Sequence, residues 1–164
     1  MKELWGVLAR QRDYRLVLSA GLVSLTGDWI LKTGLAFQVY ALTGSTLASG
    51  ALLLSSFVPM VLLGSLAGVF VDRHDRKRIL IVTCLIQAVV VAAIAVVIGI
   101  DAIALPSLYV LLFINAGIKQ FFDPAHDSLI PEMASDEELS AANAFLSIAS
   151  FGSTAIGFAG AGLL

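Results

Sequence analysis

The chain is poor in charge and in reactive side chains. Of its 164 residues only 13% are Asp, Glu, Lys or Arg, against roughly 25% in soluble domains. Cys84 is the one cysteine, which excludes a disulfide framework or a CxxC metal or redox pair within the chain. No HExxH, GxSxG or GxxxxGK[ST] occurs, nor a paired Asp or Cys/His cluster. The sequence therefore implies no catalytic residue, no metal and no cofactor, and an ATP-driven pump is disfavoured. The composition, 59% hydrophobic with little charge, argues against a soluble globule and a nucleic-acid binder; the net charge of −2 itself says nothing about partners, because in a membrane protein the location of charge matters more than its sum.

The few charges bound five uncharged gaps, at residues 16–27, 33–71, 79–100, 102–118 and 139–164. A helix rises about 1.5 Å per residue and needs about 20 apolar residues to cross a bilayer core of about 30 Å. The gaps predict an all-α, polytopic transmembrane helix bundle in a cell (inner) membrane. Its spans are expected at about 16–40, 46–71, 79–100, 103–122 and 139–164, behind a leader at 1–15. The small polar cluster Thr43-Gly44-Ser45 breaks the longest gap. The third span is rich in Val and Ile, but 22 residues exceed an ordinary strand. Pro106 falls in the first turn of the fourth, where a missing N–H costs least.

Orientation follows from the cations. Lys2, Arg10, Arg12 and Arg15 precede the first span, Arg73, Arg76, Lys77 and Arg78 follow the second, and Lys119 borders the connection after the fourth. The turn near Thr43 and the loop near Asp101 carry none, so the leader and the loops at 72–78 and 123–138 are expected in the cytoplasm. Within 123–138, Asp123-Pro124 reads as an N-cap with proline at the first helical position, predicting a short interfacial helix over 124–130. Ser135-Asp136-Glu137-Glu138 matches a capping box opening the fifth helix. The chain ends while still apolar, at Gly160-Ala161-Gly162-Leu163-Leu164. An odd span count and an unterminated helix suggest a piece of a longer protein whose C-terminal half would be its partner; the alternative is a naturally short five-span protein.

The loop after the second span orders its residues distinctively. Gly64 and Gly68 give the second helix a small-xxx-small face for close helix approach. Asp72 sits at a helix C-terminus, where the macrodipole disfavours a carboxylate, so a partner is expected in Arg73, Arg76 or a neighbouring helix N-terminus. With Lys77 and, across the rim, Asp123, these charges could form a latch that holds one conformation closed. An ordinary positive-inside stop loop is the plainer reading.

Gly68-Val69-Phe70-Val71-Asp72-Arg73-His74-Asp75-Arg76-Lys77-Arg78, placed between the second and third spans, resembles the loop 2-3 signature of the major facilitator superfamily. Leu25-Thr26-Gly27-Asp28, Leu42-Thr43-Gly44-Ser45, Phe122-Asp123-Pro124-Ala125 and Ala141-Ala142-Asn143-Ala144 look like its macrolide-efflux and enterobactin-exporter branch. The resemblance implies five of twelve spans and export of a small molecule. Three departures stand out: Asp75 replaces the usual loop glycine, the fourth span reads Asn115-Ala116-Gly117-Ile118-Lys119 where an arginine is often found, and Gly157-Phe158 replaces a Gly-Pro pair associated with antiporters.

Two charges resist the pattern by lying inside the first span, Asp28 and, one turn on, Lys32. A charge at a helix centre costs about 2.5–3.5 kcal/mol on insertion scales and usually faces a cavity or a partner. The pair is either self-compensating and structural, or Asp28 lines a central cavity and changes protonation or partner during transport, with protons as a second partner. Asn115 and Lys119 are related candidates on the fourth span, which the superfamily's inverted repeat would relate to the first; Lys119 reads first as an interfacial anchor and second as a substrate ligand. Trp29 could stack with an apolar substrate or face lipid, and Gln38, like Gln87, could bond across helices. His74 and His126 lack the neighbours of a metal site and read as solvated loop residues.

The functional expectation is a secondary transporter exporting a small amphipathic compound, of drug or siderophore type, by alternating access. The alternative is a five-span structural or assembly subunit without transport.

Overall fold

The computed structural model describes residues 12–100 and 105–133, with 147, 151, 152, 154, 155 and 159. The leader to residue 11, the loop at Asp101, the capping box at 135–138 and most of the fifth span lie outside these. Five helices follow one another in the described chain: α1 (Arg12–Thr43), α2 (Thr46–Ser55), α3 (Val58–Asp72), α4 (Arg76–Gly99) and α5 (Leu105–Met133). Among the described residues, three stretches are long and apolar enough to cross a membrane: Thr46–Asp72, Arg76–Gly99 and Leu105–Leu129. Outward carbon agrees, with Leu47 81% and Val61 79% exposed, a surface that a soluble monomer avoids and a bilayer accepts. The fold is an all-α membrane helix bundle.

Local chemistry sets each break. α1 stops at Gly44, whose φ of 64° is the left-handed value that ends helices. Its N–H donates to the Tyr40 carbonyl at 2.7 Å. The Thr43 hydroxyl donates to Val39 O at 2.7 Å and accepts from Ser45 N at 3.2 Å, and Ser45 in turn caps α2 by accepting from Ala48 N at 3.2 Å. Alanine at 44 must hold a conformation that costs an L-residue roughly 1–2 kcal/mol. Gly44→Ala is expected to lower the thermal unfolding midpoint of the full-length protein in detergent, and Gly44→Asn to recover most of the loss.

The stretch 46–71, expected as one span, is one membrane-length stretch, Thr46–Asp72, whose helix is interrupted at Ser56–Phe57 between α2 and α3. Pro59 explains the break, since it lacks an N–H for the Ser55 carbonyl and its ring crowds that group. The chain tightens to i−3 bonds, Ser56 N to Leu53 O at 3.1 Å and Phe57 N to Leu54 O at 3.0 Å. The hydroxyls of Ser55 and Ser56 donate to the Leu52 and Leu53 carbonyls at 2.6 and 2.7 Å, as polar backbone in lipid requires.

A second difference lies in α5, which runs unbroken through 123–133, where a polar connection with its own short helix was expected. Asp123 is therefore an interior, exposed residue and not an N-cap. The helix tolerates Pro124 because only one intrahelical donor is lost while the buried stripe Leu108, Leu112, Ala116, Phe122 continues to Ala125 and His126.

The chain divides into two compact units, Leu35–Ala125 and Met1–Gly34 with His126–Leu164. Within the first, helices are tied by side-chain donors to backbone carbonyls: Ser49 Oγ to Ala36 O at 2.8 Å and Tyr109 Oη to Ala48 O at 2.7 Å. Its core holds Leu35, Leu52, Ile94, Leu108 and Leu112, each at most 2% exposed. Close approach of α5 to α3 is set by Gly117, where a Cβ would lie 3.6 Å from Leu63 Cδ1 and 3.9 Å from Pro59 Cβ.

Candidate transport residues and the charged loop

Asp28 is buried, 7% exposed, in the middle of α1. One turn on, the Lys32 ammonium stands 6.0 Å from the centre of the Trp29 ring, within cation–π range, where such a contact contributes about 0.5–2 kcal/mol. Trp29 is thus engaged by a cation of its own helix. Its carbonyl also accepts from Thr33 Oγ1 at 2.7 Å. Gln38, further along α1, is half-buried.

On α5, Asn115 is 2% exposed, and its Oδ1 has no hydrogen-bond partner among the described residues. A buried polar atom left unpaired costs about 1–3 kcal/mol, and such groups cluster where a protein keeps a position open for function. Lys119 is half-buried one turn on, and Gln120 Nε2 donates back to Ala116 O at 3.2 Å. Asn115→Leu, close in size and apolar, is expected to hold or raise the unfolding midpoint and to reduce transport by the full-length protein; raised stability with unaltered transport would mark Asn115 as structural.

The loop between α3 and α4 is short and self-capped. Arg73 N and His74 N donate to Phe70 O and Val71 O, each at 3.2 Å, closing the end of α3. Asp75 takes an extended backbone, φ −66° and ψ 106°, and its Oδ1 accepts from Arg78 N at 3.1 Å to cap α4. The aspartate in place of a glycine is accounted for: no left-handed turn is made here, and a carboxylate caps the following helix. Asp72 finds Arg76, Oδ1 to Nη2, at 4.0 Å. The Asp72 side chain is 70% exposed, so the pair contributes at most about 1 kcal/mol. Arg73 and Lys77 are exposed. Of the two glycines expected to admit a neighbour, Gly64 does, since a Cβ there would meet Gln120 Oε1 at 3.8 Å. Gly68 has nothing within 4 Å.

An aromatic cluster fastens this end of α3. Phe70 stacks on His74 with ring centres 4.0 Å apart, and meets Phe121 of α5 edge-on at 5.8 Å. His74 Nδ1 donates to Phe70 O at 2.8 Å. His74 is exposed in the loop, as expected, and its ring is held against Phe70 there. Beside the cluster lies a cavity of about 670 Å³ between α3, α4 and α5. Carbon lines most of it, and His74, Asp75 and Arg78 stand together at one end.

With the helices and the loop in place, the comparisons with known proteins agree. A family described as transmembrane secretion effectors, within the major facilitator superfamily, matches residues 5–164. The chain belongs to this family. It is similar to a protein named macrolide efflux protein A of Streptococcus pyogenes, 32% identical over 71% of this chain and 29% of the relative. It is also similar to the multidrug efflux pump Tap of Mycolicibacterium fortuitum, 31% identical over 73% of this chain and 30% of the relative. An uncharacterized major-facilitator-type transporter of Bacillus subtilis, YfiS, is 30% identical over 84% of this chain and 32% of its own length. The chain thus spans about three-tenths of the relatives it matches. No solved structure matches it. The family is one of transporters, not of enzymes.

One contact of this secretion-effector chain escaped the sequence reading. His126, expected in a loop, is 4% exposed. Its Nε2 donates to the Val17 carbonyl at 3.0 Å, and its Nδ1 lies 3.1 Å from Asp127 Oδ1. The ring rests on Gly21, which presents no side chain. The cause is the continuation of α5 past Pro124, which places His126 four residues after buried Phe122, on the same stripe.

Proposed function

We propose that this chain is the N-terminal part of a secondary transporter that exports a small amphipathic compound from the cytoplasm across the cell membrane by alternating access. The observation that carries the reading is the family match over residues 5–164, together with two relatives named as efflux proteins. Buried Asp28 and the unpaired Asn115 Oδ1 support it, because polar groups are kept within membrane helices at a cost that function offsets. Spans beyond those described would supply the opposite wall of the pathway, and Asp28 would carry the coupling proton. The nine cations outside the first span support a cytoplasmic leader and a cytoplasmic loop after α3.

Cells carrying the full-length gene are expected to hold less of a macrolide or a fluorescent amphipathic cation than cells without it, and the difference to vanish with a protonophore. Equal accumulation across drugs and siderophores would remove export and leave a structural subunit. Cysteine labelling reports orientation: a cysteine at Lys77 should be reached by an impermeant reagent only after the cells are opened.

A further inference from the structure

The cavity between α3, α4 and α5 has a one-sided chemistry. Along its length the walls are apolar, with Val82 and Ile86 of α4 facing Phe113 and Phe121 of α5. Thr83 also lines it, but its hydroxyl donates to Ile79 O at 2.8 Å and Leu80 O at 3.1 Å, so it offers no free donor to a ligand. Charge lies only at the end beside the loop, where Arg78 and Asp75 line the mouth. A ligand matched to this shape has one polar end and one long apolar body. The loop at that end carries four cations, Arg73, Arg76, Lys77 and Arg78, against two carboxylates, Asp72 and Asp75, so the polar end it favours is anionic. Arg78 is tethered only loosely, Nε to Asp75 Oδ2 at 3.7 Å with the arginine side chain 86% exposed, and can turn toward a phosphate without leaving a buried carboxylate unpaired.

We propose that this groove binds an anionic phospholipid of the surrounding bilayer, one acyl chain lying between α4 and α5 and the phosphate against Arg78. Basic sites beside membrane helices recognise acidic headgroups in this way, and the cavity volume falls within the range of about 300–1,000 Å³ typical of small-ligand sites. The proposal rests on the membrane placement of these helices and not on export, so loss of the transport reading leaves it standing.

Native mass spectrometry of the full-length protein, released from detergent with phosphatidylglycerol or phosphatidylethanolamine of identical chains, tests it. Phosphatidylglycerol is expected to be retained in preference to phosphatidylethanolamine. Arg78→Gln should reduce that retention about fivefold, the equivalent of about 1 kcal/mol for one cation near an anionic headgroup, and Arg78→Lys should restore most of it. Ile86→Trp and, separately, Val82→Trp should fill the groove and remove the retained lipid. Both positions are about half exposed, 46% and 52%, and a size-exclusion profile unchanged from wild type checks that each variant folds. Equal retention of the two lipids, or retention indifferent to Arg78→Gln, would overturn the headgroup assignment. Retention unaffected by both tryptophans would place the lipid elsewhere. No retention by the wild type would mean that further spans cover the groove, and would likewise sink the proposal.

Discussion

Asp28→Asn is expected to reduce energised efflux by the full-length protein by an order of magnitude or more while leaving its amount in the membrane unchanged. Insertion is not at risk, because the substitution removes a charge whose placement at a helix centre costs about 2.5–3.5 kcal/mol. Packing is not at risk either, since asparagine keeps the volume of a side chain that is only 7% exposed. What asparagine cannot do is release and regain a proton. If Asp28 carries the coupling proton, the variant should still exchange labelled for unlabelled substrate across the membrane and should fail only in net, proton-driven export. If Asp28 serves α1 alone, both activities should persist, and wild-type net efflux by the variant would end the coupling assignment. Lys32 sharpens the comparison. Its ammonium stands over Trp29 at 6.0 Å, so Lys32→Gln should disturb a substrate that competes for the same ring and alter apparent affinity more than maximal rate.

The membrane architecture was legible because it is written in coarse variables. Uncharged gaps of 17 or more residues mark where charge is not tolerated; the apolar bodies of α3 and α4 and the first half of α5 occupy such gaps, whereas α5 continues past Lys119 to Met133 through residues the charges had marked as a connection. The stop at Gly44 was legible for a local reason, a glycine between two hydroxyl residues. Pro59 was a local signal too, yet it sits in a run so apolar that hydropathy alone joins α2 to α3. Asp123-Pro124 failed in the opposite direction. The pair carries the marks of a helix start, but burial of Phe122, Ala125 and His126 on one stripe outweighs the single donor that proline removes. Tertiary packing decides such cases, and a window of ten residues does not contain it. The same limit separates the two kinds of candidate residue. Asp28 announced itself by being charged in the wrong place, whereas the partnerless Oδ1 of Asn115 is a statement about its surroundings.

His126 and Gly21 take that limit furthest, and they carry the largest expected loss of stability. A Cβ on Gly21 would fall against Nε2 and Cε1 of the His126 ring, well inside van der Waals contact. Gly21→Ala must therefore push the ring away from the helix. The bond from Nε2 to Val17 O breaks, and a polar ring that was 4% exposed is left to find another acceptor. Overpacking of about 1–3 kcal/mol adds to about 1–3 kcal/mol for the unpaired buried group, so the variant should lose about 2–6 kcal/mol and unfold at a markedly lower temperature in detergent. Helix propensity points the other way, since alanine exceeds glycine by about 1 kcal/mol in a helix interior. A stabilised variant would therefore show that the contact is absent. His126→Ala separates the two contributions. It removes the ring and its bond together, so adding Gly21→Ala to it should cost little or even recover the propensity gain. The double variant should fall short of the summed single losses by about 0.5–3 kcal/mol, the range for residues in direct contact. Strict additivity of the two losses would mean that Gly21 and His126 do not meet, and that the burial of His126 has another cause.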